Sequence, residues 1–228
     1  MAKLAANVRS IKDMTATLYH APLTCSLAAR IAAAEGNVPL NIEYLNLRTK
    51  ELENGGSLYD VNPLGQVSTL KLDNNEIITE TSTTILWLQS QSKDPNFHIS
   101  PSSPEFYQMA RWVAFCATEL HKQIFRVVFY PEATDEVKDR VRDLAPLRFE
   151  VLNKHLSDKP YLLGDHFTAA DAYLTWFFVL SKNAQLDPST YEHLVAYQER
   201  TLNRPLIREL IESDRAKDKA MNQQIIPE

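Results

Sequence analysis

From Thr15 onward the chain is a succession of short apolar runs cut by turn residues, and the spacing within each run predicts its structure. Thr17-Leu18-Tyr19-His20 has the length and composition of a strand, and Pro22 ends it. Leu27, Ile31 and Ala34 then recur at helical spacing up to Glu35, where Gly36-Asn37 reads as a C-cap. Asn41-Ile42-Glu43-Tyr44-Leu45 alternates as a half-buried strand, so the order is strand, helix, strand with parallel pairing. A polar stretch over 46–56 and the turn Asn62-Pro63-Leu64-Gly65 follow. Residues 67–72 and 76–79 then flank Asp73-Asn74-Asn75 as a hairpin, and Glu80-Thr81-Ser82 opens a helix through Ile85, Leu86 and Leu88. The pattern over 15–92 is βαβ followed by ββα, which predicts a thioredoxin-like α/β domain with one mixed sheet.

The texture changes after Ser92. Residues 93–104 are polar, carry Pro95, Pro101 and Pro104, and read as a linker. Beyond them no strand pattern occurs, and 105–214 reads as an all-α helical bundle. Residues 105–129 predict one long helix and 134–156 another, with Pro146 expected to kink or break it. Thr168 and Asp171 have capping-box spacing ahead of the apolar run 173–180, a helix for the centre of the bundle. Two further helices are expected at 190–202 and 205–212, then a polar tail over 215–228. Residues 1–14 show no period and read as a flexible arm, with Met14 an alternative start.

Charge and cysteine usage narrow the function classes. A net charge of -5 with no basic patch argues against a nucleic-acid partner. Apolar runs fall well short of the ~18 residues a membrane span needs. Lys3, Arg9 and Lys12 are not followed by a signal-peptide core, so a cytoplasmic protein is expected. His-x-x-x-His and Cys-x-x-Cys spacings are both missing, so no metal site is expected. Of the two cysteines, Cys116 lies in an apolar helical stretch and reads as a small buried hydrophobe. Cys25 sits between Pro22 and the next helix, where backbone N–H groups and the helix dipole would favour a thiolate. Lys50, Glu80 and His121, taken alone, are ordinary polar residues.

Taken together, five phrases resemble the cytosolic glutathione S-transferases, specifically the bacterial beta class. They are Thr24-Cys25-Ser26-Leu27, Asn46-Leu47-Arg48-Thr49-Lys50, Asn62-Pro63-Leu64-Gly65-Gln66-Val67, Ala117-Thr118-Glu119-Leu120-His121-Lys122 and the run from Gly164 to Tyr173. The resemblance implies a homodimer that uses glutathione as co-substrate and conjugates it to a small apolar electrophile. It puts Cys25 and His121 at the glutathione sulfur, Lys122 at the same rim, and Lys50 at a glutathione carboxylate. Val67 would pair through its backbone, while Glu80 and Thr81 would hold the γ-glutamyl end. Three positions depart from the class: Ser68 replaces the proline after Val67, Leu23 a glycine, and Thr81 a glycine or serine. The Val67–Ser68 peptide is therefore expected either as a cis bond or as trans with an altered loop, and Leu23 is expected to crowd Cys25. Tyr19, Phe115 and Trp176 are candidates for the apolar pocket, with core the favoured reading of each. Thiol–disulfide exchange through Cys25 is one alternative function. A non-catalytic binding or scaffold protein with a decayed glutathione site is another, raised by Ser68 and Leu23.

Overall fold

The computed structural model describes residues 15–221; the arm over 1–14 and the last seven residues of the tail lie outside the described residues. Ala16–His20 (β1) is the central strand of the first layer. It pairs in parallel with Asn41–Tyr44 (β2) and antiparallel with Thr69–Leu72 (β3), which pairs antiparallel with Ile77–Thr79 (β4). The sheet order is β2-β1-β3-β4, the mixed sheet that the pattern predicts. Leu18 faces Ile42 on one side and Leu70 on the other, and both leucines are fully buried because their strands are internal. Ser26–Glu35 (α1) crosses from β1 to β2, and Thr81–Gln91 (α2) follows β4.

The second layer is helical throughout. Pro104–Phe115 (α3) starts on the Ser103 cap, whose hydroxyl accepts from the Phe106 N–H. The expected single helix over 105–129 is not continuous α-helix. Cys116–Phe125 winds as a π-helix, in which the Arg126 N–H reaches back five residues to the His121 carbonyl, before Arg126–Val128 (α4) closes it. The second long helix is also corrected. It divides into Asp135–Arg142 (α5) and Ala145–His155 (α6), since Pro146 lacks an N–H and is accommodated in the first turn of a helix. Ala169–Ser181 (α7), Glu192–Leu202 (α8) and Pro205–Ala220 (α9) complete the bundle. Helix α9 runs past Arg215, where a polar tail was expected, because it docks through buried Asp214 and Asp218 rather than through apolar residues alone.

One hydrophobic core spans both layers. It joins Leu18, Leu27 and Ile31 to Trp112, Phe125 and Phe177. Helix α7 is its axis, buried along nearly its whole length, with the Phe177 ring stacked on Phe125 at 4.3 Å. This shared core sets the cleft between the layers.

Candidate functional site

The first wall of the cleft is the loop that leaves β1. Leu23 takes a left-handed φ of 62°, a conformation that glycine adopts without cost. Its peptide groups are held from the helical layer: the Leu23 N–H donates to Asp214 Oδ2 at 2.6 Å, and the Trp176 indole donates to the Leu23 carbonyl at 3.1 Å. The Leu23 side chain lies in the core and does not line the cleft, so the expected crowding of Cys25 does not occur. Cys25 caps α1, and its thiol donates to the Val67 carbonyl at 3.1 Å. Burial pushes this thiol above its ordinary value, outweighing Thr81 and Lys122, which pull it down. The expected thiolate is therefore corrected to a thiol: the desolvation of a buried sulfur exceeds what a helix N-terminus returns. Cys116 is a core thiol, as its setting predicts, and burial raises it too.

The second wall comes from the segments before β3 and α2. The Asn62 amide bridges the Gln66 carbonyl and Thr69 Oγ1 at 2.9 and 3.0 Å, fixing the loop that carries Val67. The Val67–Ser68 peptide is cis, which decides between the two expected forms, and Ser68 is buried. Glu80, with φ 66°, sits at the N-cap of α2, and Thr81 begins that helix. Lys50 also holds φ 66°, and burial, with help from Arg126, pushes its ammonium below the ordinary value. Two of the six non-glycine residues with positive φ among the described residues, Lys50 and Glu80, line the cleft or its recess, and a third, Leu23, lies two residues before Cys25.

The third wall is helical. His121 Nδ1 lies 2.8 Å from the Tyr173 hydroxyl, and Lys122 reaches Glu80 at 3.7 Å across the cleft. Burial, then the charges of Lys122 and Arg126, drives His121 down to about 3, so the imidazole is neutral at neutral pH. The cleft measures about 440 Å³ and continues into a smaller recess through shared Gln66, Val67, His121 and Lys122. Cys25 and Lys50 line the larger part, and Ser68, Glu80 and Thr81 the smaller. All eight residues singled out in the sequence therefore meet at one place. Trp176 lines it too, whereas Tyr19 packs with Leu45 and Leu58, and Phe115 lies against Trp112.

Sequence reasoning missed Tyr173, Phe125, Arg126 and Phe129. The last three were findable: with His121 and Lys122 they form two rows at i, i+4 spacing, and all but Tyr173 line the cleft.

The neutral state of His121 has a consequence for stability. The unfolded chain takes up the histidine proton near 6.5 while the folded chain does so only near about 3, so the unfolded state binds more protons in between. Stability is complete above about pH 6.5 and falls as the pH drops, by about 1.4 kcal/mol per pH unit for His121. His20, buried and also lowered, adds with the same sign. Urea midpoints at about pH 7 and about pH 5 measure the slope, and His121→Gln should flatten it; identical slopes in both proteins contradict the assignment.

Comparison with known proteins agrees with this geometry. Residues 118–214 match the family model described as glutathione S-transferase, C-terminal domain. Glutathione S-transferase GstA of Escherichia coli O157:H7 is 31% identical over 197 residues, covering 86% of this chain and 98% of that protein. The bacterial beta-class glutathione S-transferase of Sphingomonas chungbukensis superposes with a TM-score of 0.81 at 30% identity, over 87% of this chain and 98% of that one. A sphingomonad glutathione S-transferase complexed with glutathione gives 0.81 at 27% identity, over the same shares. An α/β layer and a helical bundle with one common core, together with a relative this similar over nearly its full length, make this chain a member of the glutathione S-transferase family.

Proposed function

We propose that the cleft binds glutathione along the α/β layer and joins it through its sulfur to a small electrophile whose apolar body is held against the helical wall. The observation that carries this reading is the convergence on one cleft of the Cys25 thiol, the Lys50 ammonium and the Glu80–Thr81 start of α2. Each suits a part of an extended anionic tripeptide. Lys50 would pair with the glycyl carboxylate, the Val67 backbone with the cysteinyl unit, Glu80 with the γ-glutamyl ammonium, and the Thr81 hydroxyl and helix N-terminus with its carboxylate. Ser68 would lie beside the cysteinyl unit, and Lys122, already paired with Glu80, would close the rim.

The protonation states assign the chemistry around the sulfur. Cys25, held as a thiol, donates a hydrogen bond to the glutathione thiolate instead of attacking. His121 is too weak a base to keep a proton at neutral pH, so the proton leaves to solvent. In the tautomer that carries its proton on Nε2, His121 accepts from the Tyr173 hydroxyl at Nδ1 and would offer Nε2–H as a second donor to the sulfur. Thiol–disulfide exchange ranks behind conjugation because a raised Cys25 is a poor attacking group. A decayed scaffold ranks last, since Leu23 leaves the cleft clear. The same reading has the enzyme acting as a homodimer in the cytoplasm, which the family likeness supports.

Titration calorimetry with glutathione is the direct test: binding is expected, and no heat at millimolar ligand rejects the reading. With glutathione disulfide in long incubations, mass spectrometry should detect a slowly formed single glutathione adduct on wild type and on Cys116→Ala, and none on Cys25→Ala, the slow rate matching a thiol that is a poor attacking group. An adduct that survives Cys25→Ala removes that residue from the sulfur.

A further inference from the structure

The helical side of the cleft has a chemical character that the glutathione reading does not use. Phe125, Phe129 and Trp176 supply ring surface, with Phe125 edge-on to the other two at 5.2 and 5.5 Å. The cations Arg126, on the helical side, and Arg48, in the loop after β2, line the same cleft. Neither makes an ion pair among the described residues. The guanidinium of Arg126 lies 5.4 Å from the centre of the Tyr130 ring. Its charge lowers both Lys50 and His121, which line the same cleft.

The charges do not cancel when glutathione binds. The cleft and its recess present four cations, Arg48, Lys50, Lys122 and Arg126, against the single carboxylate of Glu80. Glutathione as its thiolate brings two carboxylates, one sulfur anion and one ammonium, a net of two negative charges. One positive charge is left over, on the side of the cleft away from α2. A neutral aromatic electrophile would satisfy the rings and leave that charge bare; an acid-bearing one would satisfy both.

We infer that the preferred electrophile of this enzyme is an aromatic or conjugated halide carrying an acid group, with its ring against Phe125, Phe129 and Trp176 and its carboxylate on Arg126. The inference rests on the transferase reading above and adds the class of the second substrate. Chemically the step is a substitution. The glutathione sulfur forms a bond to the ring carbon, chloride leaves with the bonding pair, and the thiol proton goes to solvent.

The test compares 4-chloro-3,5-dinitrobenzoate with the neutral 1-chloro-2,4-dinitrobenzene, each corrected for its uncatalysed rate with glutathione. Wild type should favour the benzoate in kcat/KM, and added salt should shrink that preference. Arg126→Gln should lower the ratio of benzoate to neutral halide about tenfold, the size of one charge-assisted hydrogen bond, and Arg126→Lys should restore part of it. Equal losses on the two substrates, or a loss confined to the KM for glutathione, overturn the inference and assign Arg126 to glutathione. If wild type binds glutathione yet turns over neither halide, the transferase reading fails and this inference falls with it. Circular dichroism of each variant checks folding, which exposed Arg126 should not affect.

Discussion

Replacing Asp214 by alanine is expected to cost about 3–5 kcal/mol of unfolding free energy, the range for removing one partner of a buried ion pair. Asp214 is fully buried on α9, 191 residues along the chain from the loop that it holds. Its carboxylate pairs with the Arg30 guanidinium, accepts from His20 Nε2 at 3.0 Å and from the Leu23 N–H at 2.6 Å. Burial keeps His20 below the ordinary imidazole value, so at neutral pH it carries one ring hydrogen, aimed at Asp214, and its Nδ1 faces Ser26 Oγ at 2.7 Å. Alanine would strand an arginine whose side chain is 10% exposed, a backbone N–H and an imidazole N–H at once. Asparagine keeps the shape and one acceptor but not the charge, and should fall between wild type and alanine. Urea denaturation measures the ladder; a loss under about 1 kcal/mol for alanine would mean that water replaces the carboxylate.

The same substitution should change the site as well as the stability. Leu23 is held in its left-handed conformation by Asp214 on one face and Trp176 on the other, two residues before Cys25. Once the first bond is gone, the Cys25 thiol should open to solvent more often and react faster with iodoacetamide, while Cys116, in the core, should not. Alkylation with peptide mapping in the absence of denaturant separates this local opening from global unfolding. Equal acceleration at the two cysteines would mean only the latter.

These long-range bonds mark what could be read from the residues and what could not. Strands β1 to β4 and helices α1 and α2 were legible because Pro22, Gly36-Asn37 and Asp73-Asn74-Asn75 punctuate short runs whose period is unambiguous. The π-helical turns at Cys116–Phe125 were not, since that stretch contains neither glycine nor proline and its apolar spacing fits an α-helix about as well. Helix α9 was cut short because hydrophobic periodicity cannot detect a face that docks through aspartates. At the site, the residue types and their phrases were enough to assemble Cys25, Lys50, Val67, Glu80, Thr81 and His121. The protonation of Cys25 was misjudged because helix position is a local property whereas burial is set by the whole fold. Tyr173 was hidden for a similar reason. Within its apolar run it looks like core, and only the 52-residue contact with His121 gives its hydroxyl a role.

Asp171→Ala should match the Asp214 loss, at about 4 kcal/mol, through a different mechanism. Its carboxylate is fully buried and receives four hydrogen bonds, from the Leu162 N–H, the Thr168 N–H, the Thr168 hydroxyl and the Tyr197 hydroxyl, at 2.7 to 3.0 Å. Burial pushes this carboxyl above its ordinary value, and those four donors pull it only part of the way back. The reciprocal cap that the spacing predicts is present, with the Thr168 hydroxyl accepting from the Asp171 N–H and the Asp171 carboxylate accepting from the Thr168 N–H, and the Thr168 hydroxyl also contacts that carboxylate. Alanine leaves two backbone N–H groups and a phenol unpaired in the core, each costing about 1–3 kcal/mol, less what local relaxation recovers. Tyr197→Phe removes one donor and should cost about 1 kcal/mol. Helix α7 begins two residues before Asp171 and carries Tyr173, Trp176 and Leu180. Fraying its first turn should therefore weaken glutathione binding along with stability. Calorimetry at a temperature where the Asp171→Ala variant is still folded tests that link: unchanged glutathione affinity would confine the aspartate to holding the bundle together, with no hand in placing Tyr173 against His121.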